Sequence, residues 1–170
     1  MPSSNAAEQT AAFTRISGKI LPGYGVASGK GLDKRYPQGT LRQQSQHFLE
    51  RGLDLSAYYM GTINLDITPY TYEIKRPKFF FKNIDWSSYI PPENFYFFDA
   101  ELYNNGMSYE GLVYMPDPST KEDHVQKPTV LELIFPKIEE LEYGATVEIA
   151  LRKVQLELIH PSQWHPLQRH

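Results

Sequence analysis

The chain has 170 residues, of which 17 are basic and 20 acidic, and its formal net charge is −3. It contains no cysteine, which excludes disulfide frameworks, thiolate nucleophiles and thiolate metal sites. The mild acidity argues against nucleic-acid binding, and no apolar run approaches the roughly 18 residues of a membrane span. We therefore expect one soluble, cytoplasmic domain with no membrane partner.

The N-terminal third contains two features before the first predicted helix. The chain opens with small and polar residues, and we expect residues 1–15 to be a flexible tail. A strand predicted at 17–21 then leads into a segment with four glycines within residues 23–31. Glycine allows backbone N–H groups to converge on an anion, but glycine clusters are also common in flexible surface loops. The residues alone leave both interpretations open.

One stretch has the signals of an α-helix. Thr40 is a candidate N-cap, and Gly52 follows the stretch as a stop. Leu41, Phe48 and Leu49 fall on one helical face. We expect this to be the only substantial helix.

The sequence pattern of most of the remaining chain predicts β-strands. From Thr62 to Ile67 polar and apolar residues alternate, so that Thr62 and Asn64 point to the same face. The Asn105-Gly106 pair between two apolar runs is typical of a tight hairpin turn. Further strands are predicted at 70–75, 131–135 and 145–151. About six strands with one helix predict a mainly β protein that closes into a small, mostly antiparallel barrel.

Two groups of polar residues on these strands could carry chemistry. A threonine hydroxyl and an asparagine carbonyl on one face, Thr62 and Asn64, offer two hard oxygen ligands of the kind that Mg²⁺ accepts. They could equally be ordinary polar residues of a half-exposed strand. Glu132 lies between two leucines; facing a barrel interior it could bind a substrate hydroxyl, but alternation favours the solvent face.

The order of these segments resembles that of the archaeal CTP-dependent riboflavin kinase family over residues 16–151. The resemblance is carried by Gly-x-Ile-x-x-Gly-x-Gly-x-Ala at 18–27, Gly-Thr-Ile-Asn-Leu at 61–65 and Leu-Glu-Leu-Ile-Phe-Pro at 131–136. It implies a six-stranded cradle-loop barrel with one main helix at 16–151. Residues 152–170 would then be a C-terminal extension.

The resemblance also implies an activity and roles for individual residues. The reaction would be the Mg²⁺-dependent transfer of a phosphoryl group from a nucleoside triphosphate, CTP rather than ATP, to riboflavin or a similar hydroxyl acceptor. Thr62 and Asn64 would bind the Mg²⁺. Glu132 would be the catalytic residue at the ribityl chain of the flavin, and Thr120 would also contact the flavin. The nucleotide would be bound by Gly23, Tyr24, Gly25, Val26, Ala27, Ser28 and Lys137.

The chain departs from the family pattern at two places. Residues 26–28, Val-Ala-Ser, stand where the family usually has an acidic residue followed by an aromatic one. Glu139 and Glu140 stand where the family tends to have an arginine, and carboxylates there would repel a phosphate. These departures are consistent with a divergent relative that uses another nucleotide or acceptor. The alternative is a non-catalytic β-barrel that binds a small planar or sugar-like ligand.

Overall fold

The computed structural model describes residues 12–22, 35–36, 38–121 and 126–163. Within these ranges the chain forms nine strands, one α-helix and a short 3₁₀ helix at Pro161–Gln163. The strands are β1 (Phe13–Leu21), β2 (Ile63–Asp66), β3 (Thr71–Ile74), β4 (Phe79–Ile84), β5 (Glu93–Asn104), β6 (Met107–Pro116), β7 (Val130–Ile134), β8 (Thr146–Arg152) and β9 (Leu156–Ile159), and the helix is α1 (Thr40–Glu50). None of the described helical segments is both long and apolar enough to cross a membrane.

Six strands close into a ring. Seven strands form one antiparallel sheet in the order β4-β5-β6-β7-β2-β1-β8, and β5 also pairs with β8. The ring is therefore β5-β6-β7-β2-β1-β8, with β4 outside it and β3 and β9 in a separate two-stranded sheet. The prediction of a mainly β protein with one main helix is confirmed for the described residues.

Strand β5 closes the ring by sharing one edge between two partners. β6 pairs with one edge of β5 along most of its length, so β4 (at 93–97) and β8 (at 100–103) must share the other edge. At the gap between them, the backbone N–H of Asp99 donates to Gln155 Oε1 at 2.7 Å. Gln155 Nε2 donates back to Asp99 Oδ2 at 2.8 Å, and Lys78 Nζ lies 2.7 Å from Asp99 Oδ1. These side chains replace the missing strand partner of Asp99.

The main core fills the interior of the ring. Because side chains alternate along a strand, every second residue of each ring strand points inward. The buried apolar residues of this core include Ile20, Leu65, Phe98, Leu102, Val113, Leu131, Leu133, Val147, Ile149 and Leu151. Leu156 and Leu158 of β9 belong to the same cluster. Burial of each such side chain contributes about 1.5–3 kcal/mol to stability.

A second core lies between α1 and the outer face of the sheet. Phe48 of α1 packs edge-on against Phe95 and Phe97 of β5, with 5.0 Å between ring centroids in both pairs. Phe48 also stacks on Phe81 of β4 at 5.7 Å. The helix therefore covers the part of the sheet that β4, β5 and β6 form.

The buried face of α1 differs in part from the prediction. Leu41 and Phe48 are buried as expected, but Leu49 is 56% exposed. Gln44 is buried in its place, because residues four apart on a helix lie on the same face and Gln44 lies one turn before Phe48.

The sequence prediction is wrong at the N-terminus of α1 and confirmed at its C-terminus. Thr40 is not the N-cap; Gly39 holds that position with φ 92°, and no side chain caps the helix. Thr40 is instead the first helical residue. Gly52 does end the helix, with φ 99°, and the N–H of Leu53 returns to the carbonyl of Phe48.

The hairpin prediction at Asn105-Gly106 is confirmed. β5 and β6 pair in register from Asn104–Met107 outward. Asn105 and Gly106 both have positive φ, 50° and 75°, as a two-residue type I′ turn requires.

Two strands were missed and one boundary was misplaced. β4 carries three consecutive phenylalanines and so shows no alternation, and β9 is short and lies in the segment expected to be an extension. β1 begins at Phe13, so 13–15 are not part of a tail, because they pair with β8.

Gly111 of β6 provides a test of the packing between β6 and β7. A Cβ atom at this position would overlap the carbonyl oxygen of Ile134 and the ring of Phe135. Since backbone cannot move aside cheaply, we expect Gly111→Ala to lower the free energy of unfolding by about 3 kcal/mol or more. Urea denaturation measures this, with Ser108→Ala on an exposed position of the same strand as the control. A loss below about 1 kcal/mol would contradict the β6–β7 packing.

Candidate functional site

Three strands place polar side chains in one row on the outer face of the ring. Asn64 on β2 pairs with Glu132 on β7, and Glu132 pairs with Tyr114 on β6. Directly paired residues point to the same face, with Cβ atoms about 4.5–5.5 Å apart. Leu131 and Leu133 beside Glu132 belong to the inner core, so the row points outward. Alternation predicted correctly that Glu132 faces away from the ring interior, but the side chain is half-buried rather than fully solvated.

The row extends to two further side chains through hydrogen bonds. Thr62 Oγ1 donates to Glu132 Oε1 at 3.4 Å. Gln126 Nε2 donates to Asn64 Oδ1 at 2.7 Å. The structure thus brings Thr62, Asn64 and Glu132 together as one group, which we term the oxygen cluster.

Helix α1 bounds the site on the side of Tyr114. The Tyr114 hydroxyl donates to Gln44 Oε1 at 2.6 Å, and both side chains are buried. Burial raises the pKa of Tyr114 well above its usual value, and the negative charges of Glu132 and Glu93 act in the same direction. Tyr114 therefore stays neutral at physiological pH and fixes α1 against the row.

Glu132 is the titratable group of the oxygen cluster. Burial raises its pKa above the usual value for a glutamate. The positive charge of Lys121, the amide of Gln126 and the hydroxyl of Thr62 oppose that rise without cancelling it. A carboxylate with a raised pKa is a better proton acceptor for an alcohol than an ordinary one.

A small cleft opens beside Glu132. Its volume is about 30 Å³, and it is lined by Tyr114, Glu132, Gln126, Lys121 and Pro118 among others. That volume suits one or two water molecules. The cleft therefore presents one carboxylate, one amide and one cation to a small group, such as the end of a longer ligand.

The oxygen cluster fits Mg²⁺ by its chemistry. A hydroxyl, an amide carbonyl and one carboxylate are hard oxygen donors, and Mg²⁺ usually takes only one or two carboxylates together with water and phosphate oxygens. No group of three or more His, Cys, Asp or Glu side chains suited to a metal occurs in the described part of the chain. A cation held here would therefore depend on the neutral oxygens of Thr62 and Asn64, with the carboxylate of Glu132 beside them.

Two other residues assigned to the site, Thr120 and Lys137, are not among the residues that line the cleft. Thr120 Oγ1 accepts from the N–H of Asn94 at 3.0 Å and donates to the carbonyl of Asp117 at 3.1 Å, so its hydroxyl is engaged in holding the loop after β6. Lys137 is exposed and follows the end of β7 opposite to the cleft. The six predicted nucleotide-binding residues at 23–28 lie outside the described residues.

The two acidic residues that depart from the family pattern are exposed. Glu139 and Glu140 lie on the surface, while the adjacent Ile138 belongs to the main core. Their carboxylates are not part of the oxygen cluster, and neither lines the cleft.

Sequence reasoning missed Lys121, Gln126, Tyr114 and Gln44. Lys121 and Gln126 come from the polar segment between β6 and β7, where no periodicity marks a residue. Tyr114 sits in an apolar strand and Gln44 among other glutamines of the helix. The one available signal was a polar residue at the α1 position one turn before Phe48.

Comparison with known proteins does not assign the chain to a family. No family model matches the chain, and no curated protein matches it.

The raised pKa of Glu132 predicts how the free energy of unfolding depends on pH. A glutamate whose pKa is higher in the folded than in the unfolded state stabilises the fold at acidic pH, and that contribution is lost as the pH rises through the folded pKa. We therefore expect Glu132→Gln to raise the free energy of unfolding at pH 8. The gain should vanish near pH 4, where the wild-type carboxyl is protonated. Urea denaturation at the two pH values tests this, with exposed Glu110→Gln as control. Equal stability of Glu132→Gln and wild type at pH 8 would contradict it.

Proposed function

We propose that this protein is an Mg²⁺-dependent phosphotransferase of the riboflavin kinase type. It would move a phosphoryl group from a nucleoside triphosphate, CTP rather than ATP, to the terminal hydroxyl of riboflavin or a related acceptor. The observation that supports this most is the oxygen cluster, whose three members are each assigned a role by the resemblance. Thr62 donates to Glu132, and Asn64 lies directly opposite Glu132 on the neighbouring strand.

The six-stranded ring is compatible with the cradle-loop barrel of that family. In the proposal, the ring is this barrel, and the site lies on its outer face beside β2 and β7. Leu21, the last residue of β1, pairs with Asn64 of β2, so the chain leaves the sheet next to the oxygen cluster. That position favours a nucleotide approaching from the end of β1.

Glu132 is the proposed catalytic residue. Its carboxylate, with a pKa raised by burial, would accept the hydrogen bond of the acceptor hydroxyl and take its proton as the oxygen attacks the terminal phosphorus. The bond from that phosphorus to the bridging oxygen would break, and the nucleoside diphosphate would leave. The cleft of about 30 Å³ admits little more than such a hydroxyl. The ring system of a flavin would then lie outside the cleft, with the end of the ribityl chain at Glu132.

Thr62 and Asn64 are the proposed cation ligands. When bound, Mg²⁺ would neutralise charge on the phosphate oxygens, which is the main requirement of phosphoryl transfer. The protein's own part is to hold the two oxygens on one strand face at fixed separation. Because the partner strand β7 is hydrogen-bonded to β2, the position of Glu132 relative to them is fixed as well.

Lys121 would supply the cation that the departures at Glu139 and Glu140 remove. It is half-buried, it lines the cleft, and its charge acts on Glu132. Within the described ranges, no carboxylate lies within 4 Å of its ammonium group. An ammonium beside the acceptor site can pair with the phosphate being transferred.

Formation of flavin mononucleotide is the direct test of the proposed function. Purified protein with riboflavin, Mg²⁺ and CTP, ATP, GTP or UTP should yield the product by chromatography, most rapidly with CTP. The double variant Thr62→Ala with Asn64→Ala should reduce kcat/KM by at least about 100-fold, since it removes the cation ligands. Thr146→Ala, at an exposed threonine of β8, should retain full activity.

The same assay separates the proposed enzyme from its alternative. If no triphosphate supports product formation, the kinase proposal fails. Flavin binding that persists without Mg²⁺ and in the double variant would then indicate a non-catalytic β-barrel. Circular dichroism of each variant shows whether a loss of activity reflects loss of the fold.

The role of Lys121 predicts a different kinetic pattern. Lys121→Met should lower kcat by about 10²- to 10³-fold, because a preorganised charge at the transferring group is lost. The KM for riboflavin should change little, and Lys121→Arg should restore part of the rate. Steady-state kinetics measure both parameters, with exposed Lys127→Met as the control. A rise in KM with unchanged kcat would contradict this role.

A further inference from the structure

Gln126 occupies one of the oxygens that a cation would need. Its amide nitrogen donates to Asn64 Oδ1 at 2.7 Å, and its side chain lines the cleft together with Glu132. One N–H of the amide therefore points at an oxygen that the proposed function gives to the cation.

A cation on Asn64 Oδ1 would compete with this hydrogen bond. Mg²⁺ binds oxygen ligands at about 2.0–2.1 Å. At that distance from Asn64 Oδ1, the positive charge of the cation and the positive end of the Gln126 N–H would be directed at the same oxygen and would repel each other.

The remaining contacts of Gln126 favour a role specific to this site. The side chain lines the cleft beside Lys121, and Gln126 lies four residues before β7. The backbone behind it is held by the bond from the N–H of Val130 to the carbonyl of Lys127 at 3.0 Å. A change of side-chain rotamer would therefore suffice to remove the amide from the oxygens.

We propose that Gln126 lowers the divalent-cation affinity of the oxygen cluster, because its amide holds Asn64 Oδ1 in place of the cation. Cation binding is strongest when the Gln126 side chain turns away. This inference rests on the proposed function for its choice of site, since the resemblance assigns Thr62 and Asn64 to the cation. Gln126 is then a residue that tunes cation binding, and it takes no part in the chemistry.

Cation binding without nucleotide or flavin tests the inference. In a titration of Mn²⁺, followed by the electron paramagnetic resonance signal of the free ion, Gln126→Ala should bind about tenfold more tightly than wild type, since the hydrogen bond from Gln126 to Asn64 no longer competes. Gln126→Met, which keeps the length of the side chain without its N–H groups, should show the same gain and serves if the alanine variant does not fold. Gln46→Ala, at an exposed glutamine of α1, should match wild type.

Two further variants locate the effect. Adding Asn64→Ala to Gln126→Ala should abolish the gain. Gln126→Lys should prevent Mn²⁺ binding altogether, since its ammonium would itself pair with Glu132. The inference is overturned if Gln126→Ala and Gln126→Met bind Mn²⁺ no better than wild type, or if the gain survives Asn64→Ala. These outcomes do not depend on catalysis. If the wild-type protein forms no flavin mononucleotide, the proposed function is rejected, and the Mn²⁺ titrations still test the role of Gln126.

Discussion

Closure of the ring depends on one strand having three neighbours. β5 pairs with β6 on one edge and must divide its other edge between β4 and β8. A strand that changes partner leaves backbone groups unpaired at the change, and unpaired buried groups are costly. Gln155 resolves this at Asp99 by accepting from its N–H and donating to its carboxylate. The turn between β8 and β9 is thereby tied to β5, and the ring can close next to a sheet that continues outward as β4.

The candidate site is a consequence of this closure. Once the ring is closed, the registers of β6, β7 and β2 are fixed, and Tyr114, Glu132 and Asn64 fall in one row. The outward extension of the sheet gives α1 a surface to cover, and the bond from Tyr114 to Gln44 fixes the helix at the end of that row. Glu132 is then partly withdrawn from water on a face that would otherwise be solvated, which is the source of its raised pKa.

Local features of this structure could be read from the sequence, and features that join distant segments could not. The Asn105-Gly106 turn and the shared face of Thr62 and Asn64 follow from backbone preference and alternation, which act over a few residues. Whether Asn64 lies opposite Glu132 depends on the register of strands 68 residues apart, and only the resemblance to a family placed them together. Gln126 could not be found by either route, because its partner is chosen by the path of an irregular segment.

The hydrogen bonds that Lys78 and Gln155 make to Asp99 have a consequence for the stability of the fold in acid. Burial alone would raise the pKa of Asp99, but the hydrogen bonds from Lys78 and Gln155 outweigh it and lower the pKa below the usual value. Such a group stabilises the fold at neutral pH, and this contribution is lost as the pH falls through the lowered pKa. The pKa of Glu132 is raised instead, so its contribution to stability changes with pH in the opposite direction. Acidification therefore relieves the cost of burying a charge at the site while it weakens the junction of β4, β5 and β8.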